Sequence, residues 1–212
     1  MNFKLKDPVS ALTHFLGAVL SVVGLVFLII KATDYSIWHL VSLTTFGISL
    51  ILLYSASTVY HAVITSKKWE KVLRKIDHMM IFVLIAGSYT PICLLALRGP
   101  LGWSLFGSIW GLAIGGIIMK AVWMSAPRWL STLIYLVMGW LLAIAFVPFS
   151  RAVSVAGVGL LLGGGFFYST GAIIYGIKWP NLKFFGFHEI FHLFILGGSA
   201  LHFWMMYQYL LP

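Results

Sequence analysis

"PVSALTHFLGAVLSVVGLVFLII", residues Pro8 to Ile30, holds no Lys, Arg, Asp or Glu between Asp7 and Lys31. Crossing the hydrocarbon of a bilayer takes about 20 mostly apolar residues in a helix, and this run exceeds that length. Comparable runs follow from Asp34 to roughly His61, from Asp77 to Arg98, from about Leu101 to Met119, from Arg128 to near Pro148, between Arg151 and Lys178, and from near Phe185 to the C-terminus. They are continuous rather than alternating, which argues against a lipid-facing barrel. The expected fold is an all-α membrane protein, with residues 1–212 forming a single seven-transmembrane helix bundle.

Composition agrees. A chain of 212 residues that is 61% hydrophobic and 9% charged, with a mean hydropathy of +1.00, has too few polar groups to cover a water-soluble particle. Lys4 and Lys6 ahead of the first run imitate the start of a signal peptide, but the run is too long and lacks a small-x-small cleavage site, so it is expected to be retained. The single cysteine, Cys93, sits inside the third run. It excludes an internal disulfide and disfavours thiolate metal chemistry.

The loops orient the bundle. Lys4, Lys6, Lys67, Lys68, Lys71, Arg74, Lys75, Lys120, Arg128, Lys178 and Lys183 fall on the side of the N-terminus, against Lys31, Arg98 and Arg151 opposite. The positive-inside rule then predicts a cytoplasmic N-terminus and an outside C-terminus. The net charge of +9 thus belongs to a membrane face; no nucleic-acid-binding module is visible. In "SKKWEKVLRKID" (Ser66 to Asp77), Trp69, Val72, Leu73 and Ile76 recur at helical spacing among lysines. The pattern suits a short helix lying on anionic lipid, or equally a solvated basic loop.

Ionisable groups inside a membrane span are expensive, about 2.5–3.5 kcal/mol for Asp near the bilayer centre, so each needs a reason. His61 ends the second run, Asp77 begins the third, and His188 and His192 occupy the first turns of the seventh. All four share one layer at the N-terminal side. One such histidine is ordinarily an interfacial anchor; four potential ligands from three helices suggest a metal site. His188 and His192, four residues apart, project from one helical face toward a common ion. Ser57 lies one turn below His61 on the same face. Three imidazoles would leave zinc a position for water, with Asp77 placed to hold or deprotonate that water and Ser57 beside it.

Other polar residues read differently. Thr13 and His14 are expected either near the entrance to this site or as interface anchors. His78 points about 100° away from Asp77 and is read as a non-ligand. His202 shares the face of His188 but lies about 21 Å further along the helix. Ser88 returns to the face of Asp77, Pro91 is expected to kink the third helix, and His39 with the tryptophans suits an interfacial belt.

The stretch "FHEIFH" (Phe187 to His192) contains H-E-x-x-H, the zinc-protease pattern. A protease of that kind needs a further ligand downstream, and the 20 residues after His192 offer only His202. Asp77 could replace it, but His61 would then have no role.

Taken together, "STVYH" (Ser57 to His61), Asp77, "HEIFH" followed by "LHFW", "ALTHFLG" (Ala11 to Gly17) and "GSYTP" (Gly87 to Pro91) resemble the progestin and adipoQ receptor (PAQR) family, most closely its bacterial hemolysin III branch. The resemblance covers nearly the whole chain. It implies a seven-helix bundle with its N-terminus inside and a zinc ion (Zn2+) near the cytoplasmic face, held by His61, His188 and His192, with Asp77 and Ser57 around the bound water. It also implies kinship with membrane hydrolases that include the alkaline ceramidases. The chain lacks the long N-terminal region of the receptors, so a hormone-receptor role does not carry over. It has Glu189 where adiponectin receptors have glutamine, so the family does not support an essential base there.

Two functional expectations result. One is a zinc-dependent hydrolase of lipid amide or ester bonds, with membrane lipids as substrate, in the plasma membrane. The other is a non-enzymatic protein with a structural zinc that perturbs the membrane, as in cytolysis, or senses it. Paired interrupted helices of the kind many transporters show are not evident.

Overall fold

The computed structural model describes residues 4–182 and 185–211. Among them the chain is helical, without strands: α1 (Pro8–Ala32), α2 (Ile37–Ala62), α3 (Lys67–Pro91), α4 (Pro100–Val122), α5 (Arg128–Gly139), α6 (Phe146–Ala152), α7 (Val155–Ile177) and α8 (Phe187–Tyr209). A 3-10 turn, Leu141–Ala145, joins α5 to α6 as one span. Seven segments are therefore long and apolar enough to cross a membrane. The chain is a multi-pass membrane protein, as expected from its runs of uncharged residues. Lys183, counted above on the N-terminal side, lies outside the described residues.

Helices adjacent in sequence pack together from α1 through α4, α7 packs on both α5 and α8, and α8 closes the bundle against α1. The third span is central: 61% of its apolar window is buried, against 22% for the first span. Phe46, Phe82, Met205 and Tyr54 fill the interior, while Leu12, Phe15, Leu16 and Val19 on α1 face outward. Outward apolar side chains are what a lipid solvent requires.

Three boundaries differ from expectation. The basic stretch before Asp77 is not a separate in-plane helix or a loop; it is the first three turns of α3, because no Gly or Pro interrupts Lys67 to Asp77. The fifth span runs past Pro148 to Ala152, since Pro148 sits in the first turn of α6, where backbone N–H groups need no helical partner. The seventh begins at Phe187.

Both breaks in the spans have local causes. Pro91 ends the regular part of α3, and a π turn follows at Ile92–Ala96, the relaxation expected where a proline crowds the preceding turn. Gly99, at φ 132°, then allows the turn into α4. Where α5 ends, the hydroxyl of Tyr89 donates to the Gly139 carbonyl (2.8 Å) and accepts from the Leu142 amide (2.9 Å). One buried phenol thus satisfies both sides of an interrupted helix inside the bundle, where each orphaned group would cost several kcal/mol.

Close approach of α2 and α3 depends on Gly87, where a Cβ would collide with the Ser49 side chain. Gly87→Val is expected to lower stability by about 1–3 kcal/mol through overpacking, read as a drop in the thermal unfolding midpoint in detergent. Gly111→Val, at a position with nothing within 4 Å of a new Cβ, should leave the midpoint nearly unchanged.

Candidate metal centre

His61 comes from the last turn of α2, and His188 and His192 come from the first two turns of α8. Each offers one ring nitrogen, and the three nitrogens lie within 4.8 Å of one another. Nε2 of His61 and Nε2 of His188 are 3.1 Å apart. Two nitrogens sharing a tetrahedral zinc at about 2.0–2.1 Å would stand about 3.3 Å apart, so the rings need little movement to share an ion. His61 and His192 are buried, at 3% and 1% exposure.

The far sides of two rings are held by oxygen. His61 Nδ1–H donates to Asp7 Oδ2 at 2.9 Å. Thr13 commits its hydroxyl proton to the Ser10 carbonyl (3.0 Å), so at 3.3 Å it accepts from His192 Nδ1–H. A neutral imidazole protonated at Nδ1 keeps its Nε2 lone pair for a cation. Oxygen partners of this kind accompany metal-binding histidines generally. The donor set therefore fits a metal ion held by His61, His188 and His192.

Asp7 is placed by the chain just before α1. Its amide donates to the His61 carbonyl (2.9 Å), and the Lys6 amide donates to the Ala62 carbonyl (3.3 Å), satisfying carbonyls that the end of α2 leaves free. Lys6 Nζ lies 3.7 Å from Asp7 Oδ2 and 3.4 Å from Glu70 Oε1, over the Tyr60 ring at 3.6 Å. In the sequence Asp7 marks only the border of a span. Its one signal was a carboxylate at the first helix start, in the same membrane layer as the histidines.

His14 belongs to the same cluster of rings. It is buried, stacks on His192 with ring centroids 3.5 Å apart, meets Tyr54 edge-on, and neither of its nitrogens has a protein partner. Glu189 turns away from the cluster to accept from Ser10 Oγ at 3.0 Å, tying α8 to α1. His202 donates to the Leu161 carbonyl (3.2 Å), and His78 bonds Tyr175 (3.1 Å). Neither joins the metal cluster.

Asp77 and Ser57, 8% and 1% exposed, face each other across the α2–α3 contact. Asp77 is not one of the clustered ligands among the described residues, so the protease-like arrangement with Asp77 in place of His61 is not adopted. Instead both residues line a cavity of about 130 Å³ with His14, His188 and His192. The cavity continues past Leu84, Ser88 and Ile195 to His202, and its wall includes Trp140 and Ser169, which hydrogen-bond across α5 and α7 at 2.9 Å.

This arrangement joins residues from both ends of the chain, and the similarity to known proteins also runs from end to end. The Haemolysin-III related family model matches residues 3–203. The chain belongs to that family. Similar members include the Hemolysin-3 homolog of Bacillus subtilis (strain 168), 47% identical over 209 residues that cover 98% of this chain and 96% of the relative. Hemolysin-3 of Bacillus cereus is 44% identical over 212 residues, covering 100% and 94%. More distantly, the Monocyte to macrophage differentiation factor of Homo sapiens is 29% identical over 206 residues, covering 93% and 82%. The expected hemolysin III resemblance thus holds over nearly the whole sequence.

Because Asp7 orients His61, Asp7→Asn is expected to weaken binding of a divalent ion by about 10- to 100-fold. Competition with a chromogenic chelator measures this, and unchanged circular dichroism would show the helices intact.

Proposed function

We propose that this family member is a zinc-dependent hydrolase of amide or ester bonds in membrane lipids. The observation that carries the reading is a cluster of three imidazoles, two of which, His188 and His192, line a largely apolar cavity together with the buried carboxylate of Asp77. His61, His188 and His192 would hold the ion, the choice expected of a three-histidine site with neighbouring oxygen partners. Bound there, zinc supplies a Lewis acid and a water acidified toward a pKa of about 7.

The protein's own groups do the rest. Asp77 takes the proton of the attacking water and returns it to the departing nitrogen or oxygen. Ser57, facing Asp77, donates its hydroxyl proton to one oxygen of the carboxylate. His14, with unpartnered nitrogens on the cavity wall, is available to hydrogen-bond the substrate's carbonyl. Leu53, Leu84, Ile85 and Ile195 receive an acyl chain and keep bulk water out. Substrate enters laterally from the bilayer, past Trp140 and Ser169. The excess of basic residues in the loops at the histidine end supports a cytoplasmic position for that end, and the protein is proposed to reside in the plasma membrane.

The name of the Bacillus cereus relative, Hemolysin-3, favours a second reading, a membrane-perturbing protein in which the ion is structural.

Purified protein is expected to contain about one zinc by elemental analysis, and His188→Ala combined with His192→Ala should remove it. Full zinc retention in that double variant would refute the ligand assignment. Asp77→Asn is expected to keep the metal while slowing fatty-acid release from a mixed lipid extract, followed by mass spectrometry, by about a hundredfold or more. Red-cell lysis unaffected by that substitution, with no product from zinc-loaded wild type, would favour the second reading.

A further inference from the structure

At the same end of the bundle as the histidines, a second hollow of about 40 Å³ lies among α3, α4, α5 and α7. Arg74, Lys120 and Arg128 all line it, with Ser131, Tyr135 and Tyr175 between them. A lysine near a helix end ordinarily extends toward the headgroup water. Lys120 instead is 4% exposed, and its Nζ donates to Ser131 Oγ at 2.5 Å. Arg128 lies over the Tyr175 ring at 4.5 Å and donates to the Tyr175 carbonyl at 3.3 Å. Among the described residues, none of these three cations forms an ion pair; those present are Lys6 with Asp7 and Glu70, and His61 with Asp7. Asp77, one turn beyond Arg74, feels that guanidinium's charge but lines the larger cavity rather than this hollow, which leaves no carboxylate on the hollow's own wall.

Three like charges around one small space repel each other, and burial of one raises the cost. A single anion would relieve both. The hollow has room for about three waters, which suits one tetrahedral oxyanion and is too small for a nucleotide. Two guanidinium groups and an ammonium match phosphate oxygens in charge and donor geometry.

We infer that the hollow bounded by Arg74, Lys120 and Arg128 is a phosphate-binding site, filled by a lipid headgroup or by free phosphate. His78, Tyr135 and Tyr175 line both this hollow and the larger cavity. A lipid whose phosphate sits here would lie with its chains beside Asp77 and the histidines. Substrates bearing a phosphate headgroup are then the class the site selects, a step that rests on the hydrolase reading above. Phosphate binding itself does not.

The test is native mass spectrometry of the full-length protein in detergent, titrated with phosphatidic acid, with diacylglycerol of the same chains, and with inorganic phosphate. Wild type should retain phosphatidic acid in preference to diacylglycerol, and Lys120→Met and Arg128→Gln should each weaken that retention about tenfold or more, the loss of one charge-assisted hydrogen bond. Lys120→Arg should restore it. Displacement of the lipid by inorganic phosphate, or phosphate binding alone with the same sensitivity to the variants, would support the site and identify free phosphate as an occupant. Equal retention of phosphatidic acid and diacylglycerol, with no binding of inorganic phosphate, would overturn it, as would binding unchanged in both charge-removing variants. Zinc content measured on the Lys120→Met samples separates this outcome from failure of the hydrolase reading, because Lys120 lies on α4 and is not part of the histidine cluster.

Discussion

A polar group left alone in hydrocarbon costs several kcal/mol, and this constraint shapes both the scaffold and the site. The backbone meets it through helices that satisfy their own hydrogen bonds, and Tyr89 meets it where the fifth span breaks. The histidines meet it by donating outward to Asp7 and Thr13. Once those Nδ1 atoms are committed, the inward nitrogens of His61 and His192 meet that of His188 in a set that could hold a metal ion.

The centre is built from chain segments that are far apart in sequence. The segment before α1 lies along the end of α2, which positions Asp7 against His61, while the start of α8 packs on α1 and brings His192 to Thr13 and His14. Glu189, the acidic member of the H-E-x-x-H pattern, holds that second junction through Ser10. A pattern that suggests a protease base therefore contributes a fastening between the first and last helices. The cavity beside the centre owes its length to the same packing, since it follows α8 from His188 to His202.

Much of this was legible in the sequence. Seven uncharged runs match the spans to within a few residues, and the depth of His61, His188 and His192 along those runs puts them in one layer. Ser57 follows from the helical repeat one turn from His61, and Asp77 from its depth at the start of the third run. The errors fell where periodicity says nothing. The join between the basic stretch and the third span depended on helix continuity through Asp77, and the break in the fifth span became tolerable only because a tyrosine from another helix fills it.

Sequence by itself determined the membrane class, the number of spans and the residue types able to hold a metal, because hydropathy and the helical repeat are local properties. Tertiary structure alone decided that Asp7 orients His61, that His14 stacks on His192, that Glu189 faces α1 and that three cations with no ion-pair partner among the described residues surround one hollow. Each of those outcomes depends on which helix faces which. That choice is made by packing between distant segments, and no single window of sequence contains it.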